Sequence, residues 1–254
     1  ALTIYGDMDV SSIKTKPVGR KDVITYLKGT NEIMDVLVMM KKELDEQHQI
    51  YVIAPMISED GETSVNSSIV DLEDKMNRAF GKIFKIASVH GKMDPKEKNS
   101  IMSKFEDGEV DILISTTVIE VGVNVKNATM MVIFNANLFG LSTLHQLRGR
   151  VGRNSLQSYC VLIADNKEER LAMLESCSDG FKISEYDFKN RGEGDLFGLR
   201  QSGETGLILA NVKRDYELLL RVKKDVDEFM PIFMNNRSEY QLLDDVGKKL
   251  EGVN

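Results

Sequence analysis

Cysteine is scarce in this sequence: Cys160 and Cys177 are the only two in 254 residues. No disulfide framework can be built from them, and such scarcity suits a reducing cytosol. Their spacing matches no zinc site, and three scattered histidines add no ligand set. No run of about 18 apolar residues is present, so nothing reads as a membrane span. A basic stretch followed by an apolar one, the mark of a signal peptide, is also missing. So is any G-x-x-x-x-G-K-S/T loop. Gly81-Lys82 and Gly91-Lys92 come nearest, and both lack the upstream glycine and the following hydroxyl. Without that backbone cradle the chain cannot hold nucleotide phosphates well by itself.

What is present suits a globular protein with a core of its own, at 42% hydrophobic and 29% charged residues. The formal net charge of −7 argues against a protein that simply coats nucleic acid. The distribution of charge says more than its sum. Forty acidic residues occur along the chain, yet none lies between 121 and 164, where Lys126, Arg148, Arg150 and Arg153 stand. Core strands explain part of this gap. Residues 144–154 are different, because they are polar, glycine-punctuated and rich in arginine, and so read as an anion site.

Short β-branched runs at 50–54, 84–89, 110–115, 129–134 and 158–164 read as strands covered on both faces. Helical patterns lie between them. Residues 31–46 place Ile33, Val36, Leu37, Met40 and Leu44 on one stripe. A second helix is expected at 69–80. A third opens on Asp94-Pro95-Lys96-Glu97, which offers an N-cap acid, a proline at the first position and a glutamate at the third. This alternation predicts an α/β fold, a parallel sheet flanked by helices. Ligands then sit beyond the carboxyl ends of the strands.

After 165 the strand signal stops. Two short helices are expected at 167–177 and 183–189, then a glycine-rich segment, then a long helix at 212–230 that Pro231 ends or kinks. That helix carries Tyr216, Leu219, Leu220 and Val226 at helical spacing. A last helix is expected at 238–250. The expected domains are a lead-in at 1–30, an α/β domain at 31–165 and a mainly helical module with a hairpin at 166–254. His90 reads as structural, and Cys160, Met39, Met40, Met130 and Met131 read as packing residues.

The sharpest motif is Gln146-Leu147-Arg148-Gly149-Arg150-Val151-Gly152-Arg153. Arg150 and Arg153 can direct two planar forks into one pocket, and a guanidinium binds phosphate bidentately without losing its charge. Gly149 and Gly152 allow close approach of the backbone. Thr116 and Thr117 end a strand, where such a pair more often serves the structure than it positions a nucleic-acid phosphate through a hydroxyl and a backbone N–H.

These residues resemble known motifs. Gln146 through Arg153 resembles motif VI of superfamily 2 helicases, and Ser115-Thr116-Thr117-Val118-Ile119-Glu120-Val121-Gly122-Val123-Asn124 resembles motif V. Val89-His90-Gly91-Lys92-Met93 and Tyr51-Val52-Ile53-Ala54-Pro55 resemble the surroundings of motif IV. Leu144-His145-Gln146 and Gln157-Ser158-Tyr159-Cys160 narrow the resemblance to the RecG branch, and residues 1–10 resemble the segment after motif III of that branch. Asp179-Gly180-Phe181-Lys182-Ile183, Asn190-Arg191-Gly192-Glu193-Gly194-Asp195-Leu196 and Gly198-Leu199-Arg200-Gln201-Ser202-Gly203 are similar to the translocation motif that RecG and Mfd share.

The resemblance implies a RecA-like second motor lobe followed by a coupling module. It gives Arg150 and Arg153 a catalytic role on ATP, with Gln146, Gly149, Gly122 and Asn124 at the nucleotide. Thr116 and Thr117 would touch DNA, and Arg170, Arg191 and Gln201 would couple hydrolysis to translocation. Family members usually carry aspartate where Asn124 stands and proline where Lys126 stands. The acidic D-E-x-H box is not found, so ATP with Mg²⁺ is expected to sit mainly on a first lobe. That first lobe and a wedge domain of the same protein are the implied partners, beside branched double-stranded DNA such as forks and Holliday junctions. The resemblance further implies a cytoplasmic, nucleoid-associated monomer that reverses stalled forks and migrates junctions. Two other readings stay open, an Mfd-like transcription-repair translocase and a non-catalytic DNA-binding module.

Overall fold

A computed structural model describes residues 21–55, 64–116, 125–166, 168–190 and 215–243. The chain divides into two units, 15–188 and a second comprising 1–14 with 189–254. The first is built on six strands: β1 Ile24–Lys28, β2 Gln49–Ile53, β3 Ile86–Val89, β4 Ile112–Ser115, β5 Ala128–Ile133 and β6 Tyr159–Ile163. Their order is β1-β6-β5-β2-β4-β3, and every pairing is parallel.

Successive side chains on a strand face opposite sides, and here both sides are covered. Helices α1 (Ile33–Asp45) and α2 (Ser64–Phe80) cover one side. There Val36, Met40, Leu44, Ile69, Leu72, Met76 and Phe80 pack on Ile50, Val52, Ile112, Ile114, Met130 and Val132. The other side takes α3 (Pro95–Glu106), α4 (Leu141–Arg148), α5 (Glu169–Ser176) and α6 (Gly180–Asn190). Its core joins Tyr51, Ile53, Leu113, Met131 and Leu162 to Phe105, Leu144, Leu147, Leu174 and Ile183. The ring of Phe105 meets Tyr51 edge-on, with centroids 4.9 Å apart. The cap expected for α3 is present, since the Asp94 carboxylate accepts from the Lys96 N–H at 2.8 Å and Pro95 fills the first position. Met40, Met130, Met131 and Cys160 are fully buried, and burial pushes the Cys160 thiol up to about 12.

Three expectations are corrected. Residues 24–28 are an edge strand of the sheet, not lead-in. Their burial alternates, with Thr25 and Leu27 inside and Ile24 exposed, so no continuous apolar run announces them. The Glu175 carboxylate accepts the Leu27 N–H at 2.8 Å. Second, α5 and α6 share the core of the sheet through Leu171, Leu174 and Ile183, so the first unit runs to 188 and does not stop at 165. Third, α4 is a helix that the sequence reading did not include.

In the second unit the long helix α7 spans Tyr216–Asn235 and contains Pro231, so the proline does not end it. An aromatic group steadies this last stretch: Phe229 and Tyr240 pack edge-on at 5.1 Å, and Phe233 lies 6.2 Å from Tyr240. Val226 is exposed, and the side chains of Tyr216, Leu219 and Leu220 lie outside the described residues. Of the expected last helix, a 3₁₀ turn at Arg237–Glu239 and residues 241–243 are described. Among the described residues no helix is long and apolar enough to cross a membrane.

Candidate functional site

The arginine motif begins inside α4. Leu141, Leu144 and Leu147 are buried on one side of this helix, while Gln146 and Gly149 are exposed on the other. Gly149 caps the helix, and its N–H donates to the His145 carbonyl at 3.1 Å. The chain then turns tightly, with the Arg150 N–H on the Leu147 carbonyl at 2.9 Å. Val151 is completely buried and pins the turn into the core between Arg150 and Arg153, both half-buried.

Gly152 holds φ +70, a backbone conformation that a side chain disfavours. A Cβ there would also come within 2.8 Å of Val23 Cγ2. Its requirement is thus packing against the strand side of the fold, where close approach of a ligand was expected. Behind the turn, burial pushes the Tyr51 phenol up to about 12, while the nearby charges of Arg153 and Arg150 oppose that rise. Both guanidiniums therefore lie within electrostatic reach of one buried hydroxyl on β2. Asn154 secures the far side by donating its amide to the Lys126 carbonyl.

Arg148, although part of the arginine-rich stretch, does not join this pair. It is buried at 5% exposure and donates to the carbonyls of Leu174 (2.8 Å) and Cys177 (2.9 Å). It also reaches the Thr25 hydroxyl at 3.4 Å and His145 Nδ1 at 3.0 Å. Because a guanidinium only donates, Nδ1 of His145 must accept, which leaves the ring proton on Nε2. Gly180 presses on that nitrogen so closely that a Cβ would lie 2.8 Å from it. Burial lowers the Arg148 pKa.

Arg170 makes a second tie between the same elements. From the first turn of α5 it donates to the carbonyls of Phe139 (2.7 Å) and Asn137, and it pairs with Glu168. Thus α4 is tied to α5 beyond its amino end by Arg170 and at its carboxyl end by Arg148.

Residues 29–155 match the family model for the helicase conserved C-terminal domain. The chain belongs to that family. Residues 177–250 match a second model, ATP-dependent DNA helicase RecG, domain 3, C-terminal. ATP-dependent DNA helicase RecG of Staphylococcus aureus is 43% identical over 246 residues, which is 94% of this chain and 36% of that protein. The Staphylococcus epidermidis protein of the same name is 45% identical over 234 residues, 91% of this chain and 34% of its own. A solved structure of RecG bound to a three-way DNA junction is 38% identical, with a TM-score of 0.63, over 81% of this chain and 26% of that one. The chain spans about a third of the length of the curated relatives it matches.

The six-stranded sheet is accordingly the RecA-like C-terminal lobe of a helicase. Within it Thr116 stands at the carboxyl end of β4, completely buried, with no hydrogen-bond partner for its hydroxyl. Thr117, Gly122, Asn124, Arg191 and Gln201 lie outside the described residues.

Two groupings were not visible in the sequence. Glu43 is buried on α1 and accepts from the Thr129 hydroxyl at 2.5 Å, with His48 Nδ1 at 2.9 Å and Glu46 close by. Its bonds already tie the amino ends of β2 and β5, a structural use. The other is His90, whose Nδ1 is buried without a partner. No spacing rule could have found either one, because both depend on which strands become neighbours.

Proposed function

We propose that this chain is the second motor lobe and coupling segment of an ATP-dependent translocase that remodels branched double-stranded DNA. The observation that carries this is the turn in which Arg150 and Arg153 flank the buried Val151 at the end of a helix tied twice to α5.

On this reading ATP lies between a first lobe and the exposed side of α4. Gln146 and Gly149 line its approach, with Gly122 and Asn124 nearby. Arg150 and Arg153 neutralise charge that builds on the γ-phosphoryl group as it leaves, and Val151 keeps both from drifting during that step. A site without carboxylates suits such a polyanion, and none occurs from 121 to 164. Mg²⁺ would be held by the first lobe and would supply positive charge to the phosphates. Thr116 and Thr117 take a DNA phosphate. Displacement of α4 reaches α5 through Arg148 and Arg170, and the segment with Arg191 and Gln201 passes the step to DNA. The protein works as a cytoplasmic monomer at forks and Holliday junctions. The match of residues 177–250 to the RecG model favours this over an Mfd-like transcription-repair role.

The test uses the complete protein with forked DNA. Arg153→Ala lowers DNA-stimulated hydrolysis by about 10³-fold, whereas Gln201→Ala spares hydrolysis and impairs unwinding. Equal loss of both activities in Gln201→Ala contradicts the coupling role. Hydrolysis by the isolated chain, free of contaminant, contradicts the division of labour between lobes.

A further inference from the structure

Helix α1 closes on Glu46, and Gln47 takes φ +63, so the chain turns back and the His48 N–H donates to the Glu43 carbonyl at 2.9 Å. This turn gathers three ligand-bearing side chains. His48 Nδ1 stands 2.9 Å from Glu43 Oε2 and 3.9 Å from Glu46 Oε2, and one ligand atom from each residue lies within 4.8 Å of the others. Behind them the Thr129 hydroxyl donates to Glu43 Oε2 at 2.5 Å.

The charges of this group do not balance. Glu43 is buried at 5% exposure, where an ionised carboxylate needs a positive partner. Among the described residues no lysine or arginine nitrogen lies within 4.0 Å of Glu43 or Glu46. Both hydrogen bonds to Glu43 fall on Oε2, and Oε1 has none among the described residues. Two carboxylates beside one neutral imidazole have the charge that a divalent cation cancels, and the carboxyl end of a helix adds to the attraction. Zn²⁺ binds such nitrogen and oxygen atoms at about 2.0–2.2 Å, which sets its ligand atoms about 3.3 Å apart. The separations of 2.9 and 3.9 Å bracket that value. An imidazole among the ligands disfavours Mg²⁺ and Ca²⁺, which prefer oxygen alone. The Glu46 side chain is 52% exposed, so the group opens to solvent, which gives an ion entry and leaves a coordination position for water.

We propose that Glu43, Glu46 and His48 bind one first-row divalent cation, of which Zn²⁺ is the probe. The ion fastens the end of α1 to the start of β2 and, through the Thr129 hydroxyl that orients Glu43, to β5. This departs from the expectation that the histidines add no ligand set, because the other ligands here are carboxylates. The site shares no residue with the arginine turn, so it stands apart from the motor reading.

The test is calorimetric titration and thermal unfolding of the complete protein, freed of metal by a chelator, with Zn²⁺ and with Mg²⁺. Zn²⁺ raises the wild-type Tm and Mg²⁺ does not. The Glu46 carboxylate is exposed and makes no hydrogen bond among the described residues, so Glu46→Gln keeps the metal-free Tm of the parent. The same variant weakens Zn²⁺ binding by more than about tenfold, the least that loss of a supporting group around a metal costs. His48→Gln abolishes the Zn²⁺ response. Thr129→Val keeps all three ligands and weakens binding about 10- to 100-fold. Glu46→His exchanges one zinc ligand for another and restores binding. A wild-type Tm that Zn²⁺ does not raise overturns the proposal. So does an equal rise in wild type and Glu46→Gln, the sign of adventitious binding elsewhere.

Discussion

The guanidinium of Arg148 donates to the main-chain carbonyl of Leu174 over 2.8 Å, which fastens the last residue of α4 to the last turn of α5. The side chain is enclosed and also serves Cys177. Removing it leaves two carbonyls unbonded in the interior. Arg148→Met therefore destabilises the protein by about 3 kcal/mol, read as a lower urea midpoint at an unchanged slope. Arg148→Lys keeps the charge but loses the fork, and recovers less than half of that loss.

The two glycines of the arginine turn answer differently to the same change. Gly152→Ala forces a side chain into φ +70 and against Val23, and costs about 1–3 kcal/mol. Gly149→Ala is less strained, since its φ of −69 suits any residue and a Cβ would come no closer than 3.3 Å, to the Gln146 carbonyl. Its Tm stays near that of the parent. On the proposed reading, a fall in ATP hydrolysis by Gly149→Ala in the complete protein reports on the nucleotide side of α4, while a fall in Gly152→Ala reports on the fold. Thermal unfolding beside hydrolysis assays distinguishes them.

Stability declines in alkali for a reason visible in the core. Tyr51 is raised from 10.0 to about 12 and Cys160 from 9.0 to about 12, each mainly by burial. The unfolded chain releases these protons at lower pH than the folded one. Their contribution is complete below the ordinary values and is lost as pH rises from about 9 to about 12. Urea midpoints measured across that window fall with pH, and the fall is shallower in Tyr51→Phe. An equal slope in the variant contradicts the assignment.

Strands β2, β4 and β5 were legible because a parallel sheet covered on both faces needs unbroken apolar runs, and Gln49–Ile53 and Ala128–Ile133 are buried throughout. The edge strand β1 was not, since Ile24–Lys28 is half-solvated and ends in lysine. Helix α4 was hidden by its own chemistry: the polar Gln146 and Arg148 and the glycine at its end obscure the helical spacing of Leu141, Leu144 and Leu147. A break at 165 falls short of the first unit's end for a related reason. Whether α5 belongs with the sheet depends on bonds from Arg148 and Arg170, and a sequence shows an arginine without showing where its fork is spent. Arg150 and Arg153 could be named from the motif, but the burial of Val151 between them needed coordinates. The same holds for His90, because an unbonded nitrogen is a fact about neighbours.

Strand β1 is the outermost member of the six-stranded sheet among the described residues, and an outer side of that kind is a border on which foreign strands nucleate. The carboxylate of Glu175 sits on the Leu27 amide and occupies one of the donors that an incoming strand would recruit. The helix that carries Glu175 is the same α5 that Arg148 and Arg170 anchor. Loosening those anchors, by mutation or in a partly folded chain, thus withdraws the guard from the border as well. On the proposed reading, colloidal behaviour and motor mechanics are linked through one short helix, and variants designed to slacken the proposed transmission carry a risk of self-association.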